Sequence, residues 1–63
     1  MNWRQGSKYH MESDNGRFTI AKVKVGGRVI YELWMLRGER FERVDHFTNA
    51  DAAKAAAELE DVF

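Results

Sequence analysis

Apolar and polar side chains alternate along much of the chain, and a period of two is typical of β-strands with one buried face. The clearest example is residues 17–25, RFTIAKVKV, which are rich in β-branched side chains. Residues 9–13 alternate more weakly, and residues 28–36 form a third segment. Residues 40–47, RFERVDHF, alternate less clearly and are interpreted as a short fourth strand at the sheet edge. The pattern predicts three or four strands.

Turn signals separate these segments. Asn15-Gly16 is typical of a two-residue type I′ hairpin turn, which needs positive φ at both positions. Gly26-Gly27 predicts a second tight turn, and residues 37–39, Arg-Gly-Glu, predict a third. Short turns of this kind join neighbouring antiparallel strands, so we expect a β-meander.

A helix signature follows the last strand. Thr48 is the expected N-cap, with Asp51 completing a capping box. The run ADAAKAAAELEDVF has high helix propensity, and its apolar stripe is predicted at Ala52, Ala56, Leu59 and Phe63. The sequence therefore predicts one α+β domain spanning residues 1–63. It is an antiparallel three- to four-stranded meander followed by one C-terminal helix packed on one face.

The two hairpin turns fix which side chains share a face, provided that both loops contain two residues. Met11 then pairs with Ile20, and Ile20 pairs with Leu33. The face predicted to pack on the helix is large and almost wholly apolar: Tyr9, Met11, Phe18, Ile20, Tyr31, Leu33 and Met35. The opposite face is mixed with an apolar centre: His10, Glu12, Thr19, Ala21, Val23, Val25, Arg28, Ile30, Glu32, Trp34 and Leu36.

The segment IYELWML, residues 30–36, is apolar on both faces, although a single helix can cover only one of them. An exposed apolar patch on a small protein is typical of an interaction site, and Trp is enriched at binding hot spots. We therefore expect a partner-binding surface, or a homodimer interface, at Val23, Arg28, Ile30, Glu32 and Trp34. Two alternatives remain open: the N-terminal segment with Trp3 folds over this face, or a register slip exchanges the two faces.

Composition narrows the classes of function. The 63 residues contain no Cys, which excludes disulfides and thiolate chemistry and favours a reducing compartment. No signal-peptide core or membrane-length apolar run is present, so a cytoplasmic location is expected. Ten basic and ten acidic side chains balance overall, but they are distributed unevenly. Residues 1–47 hold nine basic and six acidic side chains, whereas residues 48–63 hold one basic and four acidic ones.

Catalytic groups are few. His10 and His46 are the only histidines, and neither has a Ser or acid at a spacing that suggests a triad or an acid–base pair. His10, Glu12 and Glu32 could meet as metal ligands, but surface strand positions are the more ordinary interpretation. The glycines lie at hairpin turns, so no phosphate-binding loop is indicated. We expect no enzymatic activity, no metal and no cofactor.

Single-stranded nucleic-acid binding is the alternative function. Aromatic side chains among cations on a sheet resemble in composition the platforms on which bases stack. The aromatic candidates are Tyr31 and Trp34. The basic candidates are Lys22, Lys24, Arg28, Arg37, Arg40 and Arg43. The opposing interpretation is a solvated basic edge that discourages strand-to-strand aggregation.

The stretch SKYHMESDNGRFTIAKVKVGGRVIYELW, followed by TNADAAKAAAE, resembles small proteins encoded by bacteriophages and prophages. That group includes anti-CRISPR inhibitors, which block a host machine by occupying its surface. The resemblance implies a non-enzymatic inhibitor in the bacterial cytoplasm whose partner belongs to a host defence complex. It assigns no role to any individual residue.

Overall fold

The computed structural model describes residues 1–61 and contains one sheet and one helix. Five antiparallel strands lie in chain order: β1 (Trp3–Ser7), β2 (His10–Ser13), β3 (Phe18–Val25), β4 (Arg28–Arg37) and β5 (Arg40–Phe47). Helix α1 (Ala50–Glu60) follows and packs on β3, β4 and β5. The predicted α+β meander with one C-terminal helix is confirmed.

The sheet has one more strand than the sequence predicts. β1 carries a single large apolar side chain, Trp3, and a glycine, so its alternation is too weak to recognise. It pairs with β2 from Trp3 opposite Ser13 onward, and the register shifts between Gln5 and Ser7. β1 therefore extends the sheet at one edge rather than lying across either face.

The β3–β4 register is confirmed throughout. Ile20 lies opposite Leu33, and Lys22 lies opposite Tyr31. Gly26 and Gly27 have φ values of 56° and 82°, as a two-residue type I′ turn requires at both central positions. A side chain at either position would be strained, which explains the glycine pair.

The β2–β3 register is also confirmed, with Met11 opposite Ile20, but the predicted type I′ turn is wrong. Only Gly16 has positive φ, at 73°, and the loop spans residues 14–17. The Asn15 carboxamide oxygen instead accepts hydrogen bonds from the Arg17 amide (3.0 Å) and the Ser13 hydroxyl (2.6 Å). Side-chain bonding of this kind holds Asn in a turn without a left-handed backbone. The longer loop keeps the register because it takes one residue from the end of each strand.

The start of α1 lies one residue later than predicted. Asn49 is the N-cap, and its side chain accepts a hydrogen bond from the Ala52 amide at 2.8 Å. Asn caps helices at least as well as Thr, because its short side chain reaches the free first-turn amides. Thr48 therefore lies outside the helix, and the predicted capping box does not form.

The predicted apolar stripe of α1 is only partly correct: Ala56 borders the core, but the buried positions of the helix are different ones. Ala53 and Ala57 are buried, whereas Leu59 is 69% exposed, and Phe63 lies outside the described residues. The run of alanines gives no preferred phase, so the prediction depended on Leu59 and Phe63. The bulky side chains of the sheet instead pack against the helix face that carries the small side chains of Ala53 and Ala57.

The core lies between α1 and the predicted face of the sheet. Its buried side chains are Phe18, Ile20, Leu33, Met35, Ala53 and Ala57, with Trp3, Met11, Tyr31, Phe47 and Ala56 packed at its border. Tyr9 is the exception among the predicted core residues. It lies in the turn between β1 and β2, away from the helix, and is 52% exposed.

Trp3 packs against this core on the helix side of the sheet. The alternative in which Trp3 covers the other face is therefore wrong. A slip that exchanges the two faces is excluded as well, because the predicted strand pairings are present.

Candidate protein-binding face

The sheet surface opposite α1, termed here the helix-free face, is organised by cross-strand rows. One row runs from Glu12 through Thr19 and Trp34 to Arg43. The next runs from His10 through Ala21 and Glu32 to His46, and Val23 lies opposite Ile30 beyond it. Successive side chains of a strand point to opposite faces, so these rows all point away from the helix.

An irregularity in β5 determines which of its side chains reach this face. The β4–β5 register shifts between Leu33 and Trp34, so that Val44 is an extra residue. Arg43 consequently lies opposite Trp34, while Phe47 lies opposite Tyr31 and joins the core. The bulge shifts the alternation of β5 by one residue, so that Arg43 points to the helix-free face while Phe47 points to the core. This shift explains why the alternation of residues 40–47 is hard to read.

The centre of the helix-free face is a shallow apolar hollow of about 440 Å³. Ala21 forms its floor because its side chain is far smaller than those of its neighbours. Trp34, Val23 and Phe41 contribute apolar walls, and Phe41 is 43% exposed. The remaining lining residues are His10, Thr19 and Glu32. A protruding apolar side chain from a partner would fit this concavity.

Ion pairs flank the hollow. Arg43 Nε lies 2.7 Å from Glu32 Oε2, and the Glu32 side chain is only 21% exposed. On the other flank Arg4 Nη2 lies 3.2 Å from Glu12 Oε2, in a well-solvated pair. Surface pairs contribute little to stability, but they neutralise each other. The flanks therefore present polar groups of both signs around an apolar centre, without a strong net field.

All five predicted partner-binding residues point to this face. Val23, Ile30, Glu32 and Trp34 lie together near the hollow. Arg28 lies opposite Val25 at the β3–β4 turn, further from Trp34 and well exposed. Sequence reasoning missed the role of Phe41. The turn at Gly38, which has a φ of 63°, brings Phe41 opposite Leu36 and so onto this face.

The predicted nucleic-acid platform is divided by the fold. Trp34 and Arg43 lie on the helix-free face, whereas Tyr31 and Lys22 lie opposite each other on the helix side. Lys24 is on the helix side as well. Arg37 and Arg40 lie opposite each other in the strand register beside the β4–β5 turn, at the other end of β4. The basic candidates therefore form no single surface.

The two histidines do not converge. His10 and His46 occupy opposite ends of one row, three strand spacings or roughly 14 Å apart. His10 Nδ1 is within 3.2 Å of the Ser7 hydroxyl, and His46 Nδ1 is within 3.1 Å of Arg43 Nη2. Across residues 1–61, no three His, Asp or Glu side chains are grouped so that they could hold a metal ion.

No helix in the described part of the chain has the length and apolar character to cross a membrane. Comparison with family models, with curated proteins and with solved structures finds no match to this chain.

Proposed function

We propose that this chain is a non-enzymatic binding protein that occupies the surface of a protein partner through its helix-free face. The supporting observation is the Trp34-centred hollow on a sheet surface that α1 leaves uncovered. Helix α1 is the only element of residues 1–61 besides the strands, and it packs on the other side. The apolar side chains around Ala21 thus remain available to a partner.

The chemistry of the face indicates the kind of partner surface that would fit. Trp34 supplies a large anchor, and the hollow beside it accepts an apolar side chain. Arg43 with Glu32, and Arg4 with Glu12, form a polar border around that anchor. Such a border excludes water from the centre while adding little energy of its own. The matching surface is apolar at its centre and close to neutral.

The likeness of residues 7–34 and 48–58 to phage-encoded proteins supports a narrower version of the proposal. In this version the partner is a component of a bacterial defence complex, and the chain is an anti-CRISPR-like inhibitor acting in the host cytoplasm. Inhibition by surface occupancy needs no catalytic group and no cofactor. When the partner is absent, two copies pair through the same face as a homodimer.

The test compares two truncations of apolar side chains on opposite sides of the molecule. Trp34→Ala removes the proposed anchor, while Leu59→Ala removes a 69% exposed apolar side chain from α1. Proteins captured from a bacterial host extract on immobilised wild type are identified, and each purified candidate is titrated against all three chains. We expect Trp34→Ala to weaken binding by at least about thirtyfold, because central Trp anchors contribute about 2 kcal/mol or more.

Leu59→Ala is the matched control and should bind as the wild type does. Equal affinity of wild type and Trp34→Ala for every purified candidate would contradict the proposal. A loss confined to Leu59→Ala would place the binding surface on the helix instead.

A further inference from the structure

A second concave surface lies on the helix side of the sheet, beyond the point where α1 begins. The Lys22 amide donates a hydrogen bond of 2.7 Å to the Tyr9 carbonyl, which places Tyr9 beside Lys22. Lys22 lies opposite Tyr31, and Lys24 lies opposite Val29. This surface, termed here the basic end, contains Lys8, Tyr9, Lys22 and Lys24. It is continuous with the sheet face that packs on α1, but only Ala50 of the helix borders it.

Two adjoining hollows occupy the basic end. One, of about 170 Å³, has apolar walls that include Met11, Ile20 and Tyr31. The other, of about 340 Å³, reaches Lys24 and Val29. Lys8, Tyr9 and Lys22 line both hollows. The half-exposed Tyr9 ring thus stands at their boundary, with Lys8 Nζ 5.5 Å from its centroid.

The lysines of the basic end differ from most other cations of the molecule. Arg4, Arg17, Arg37 and Arg43 each lie within 4 Å of a carboxylate. Lys8, Lys22 and Lys24 have no such partner among residues 1–61. Their charges are therefore not cancelled by ion pairs and are available to an anion.

Acidic side chains are concentrated elsewhere. The sequence contains no Asp or Glu between Asp14 and Glu32. Glu58 pairs with the N-terminal amine and Asp61 pairs with Arg17, so the acidic part of α1 lies at the far end of the sheet. Asp51, in the first turn of α1, is the one helix carboxylate near the basic end. Zero net charge overall thus conceals a basic end and an acidic end.

From these observations we propose that the basic end binds a short single-stranded nucleic-acid segment. Lys8, Lys22 and Lys24 contact phosphates, while a base enters the apolar hollow and stacks on Tyr9. Stacking on an exposed aromatic ring between cations is the usual physical basis of single-strand binding. An acidic peptide would use the lysines equally well, but its Asp and Glu side chains have no flat ring to place against Tyr9. The aromatic wall therefore favours a nucleic acid.

This site does not depend on the proposed protein-binding function. The basic end and Trp34 lie on opposite faces of the sheet. His10 lines a hollow of each site, but neither proposal assigns it a contact with a ligand. Each proposal can fail while the other stands.

The experiment is a titration of a fluorescent oligothymidylate of about eight nucleotides, followed by anisotropy at several salt concentrations. Three phosphate contacts predict a slope of log K against log salt near −2, since each contact contributes about −0.7 on a single strand. The Lys22→Gln/Lys24→Gln double variant should flatten that slope to about −0.7 and weaken binding at least about tenfold at low salt.

A change at Tyr9 separates stacking from charge. Tyr9→Ala should weaken binding about fivefold to a hundredfold without changing the salt slope, and Tyr9→Phe should bind like the wild type. The matched charge control is Arg37→Gln/Arg40→Gln, which removes two cations at the β4–β5 turn, roughly 20 to 27 Å along β4 from the positions opposite Lys22 and Lys24. This control should bind as the wild type does. Thermal unfolding of every variant checks that the fold is retained.

Several results would overturn the proposal. No anisotropy change at about 50 mM salt would exclude single-strand binding, as would equal losses in the two double variants. Competition by poly-glutamate as strong as that by unlabelled oligonucleotide, together with unchanged binding by Tyr9→Ala, would assign the basic end to acidic peptides.

Discussion

Leu33 and Trp34 are neighbours in β4, yet their side chains lie on opposite faces of the sheet. This allows folding and binding to be separated with two single substitutions. We expect Leu33→Ala to destabilise the domain strongly, and Trp34→Ala to remove association while leaving the monomer folded. The comparison is sharp because the two positions are adjacent in the same strand and differ in the face to which they point.

The expected cost at Leu33 follows from its burial. Its side chain is 0% exposed and belongs to the cluster beneath α1. Truncating such a side chain costs about 2 to 5 kcal/mol, because transfer free energy is lost and a cavity remains. A domain of this size has a total free energy of unfolding on the order of 3 to 9 kcal/mol. Leu33→Ala therefore removes a large part of it.

The expected cost at Trp34 is smaller. Its ring is incompletely buried and lines an open hollow, so truncation widens the hollow without leaving an enclosed cavity. What is lost is contact with cross-strand neighbours such as Thr19 and Arg43. Each such pair contributes about 0.2 to 1 kcal/mol, which gives about 0.4 to 2 kcal/mol for the two pairs.

Urea unfolding at two protein concentrations measures both quantities. At a concentration where the wild type is monomeric, Leu33→Ala should lose at least twice as much free energy of unfolding as Trp34→Ala. At high concentration the wild type should gain stability by mass action, while Trp34→Ala should not. Equal destabilisation of the two monomers would show that Trp34 belongs to the core, and the proposed interface would have to be abandoned.

Three further predictions concern the cap, the turn and self-association. Asn49→Ala should cost about 0.5 to 2 kcal/mol in urea unfolding, whereas Thr48→Ala should cost little, because only Asn49 caps the helix. Ser13→Ala should cost about 1 to 3 kcal/mol in the same assay, since the buried Phe18 amide loses its 3.0 Å hydrogen bond to the Ser13 hydroxyl. Sedimentation equilibrium should show a weak, reversible dimer of the 7.3 kDa chain, because the 34 × 21 Å outline limits the footprint to about 700 Å² per copy. A strictly monomeric wild type at millimolar concentration would refute the last of these.

The sheet register could be predicted because each of two turns fixes the pairing of one pair of strands. Gly26-Gly27 fixes β4 on β3, and the β2–β3 loop fixes β2 on β3 even though its conformation was predicted wrongly. A loop that lengthens by taking the same number of residues from both flanking strands preserves the pairing of the rest. Parity then assigns every side chain of these strands to a face, which is why the core and the Trp34 surface were both identified.

Features that depend on tertiary packing could not be predicted in the same way. β1 has almost no apolar pattern of its own, and it forms because β2 offers an unpaired edge. The phase of α1 was not encoded by a run of near-identical alanines. Tyr9 was assigned to the core by parity, but parity does not say how far along the sheet the helix extends. Lys22 and Lys24 are among the predicted basic candidates, but without the reach of the helix the sequence could not place an exposed Tyr9 beside them.

Because α1 contributes little to the core, the apolar side chains on the second face of β4 also matter for stability. The helix contributes mainly Ala53 and Ala57 to the core, so most of the buried volume comes from the sheet side chains themselves. A 63-residue domain built this way buries little apolar area and lies near the lower limit of independent stability. Val23, Ile30 and Trp34 shield one another on the helix-free face and so add cross-strand contacts that α1 cannot supply. The same side chains form the proposed binding surface, so removing them all to prevent association should also weaken the sheet. A single truncation at Trp34, with its neighbours intact, is for this reason the change that best separates binding from folding.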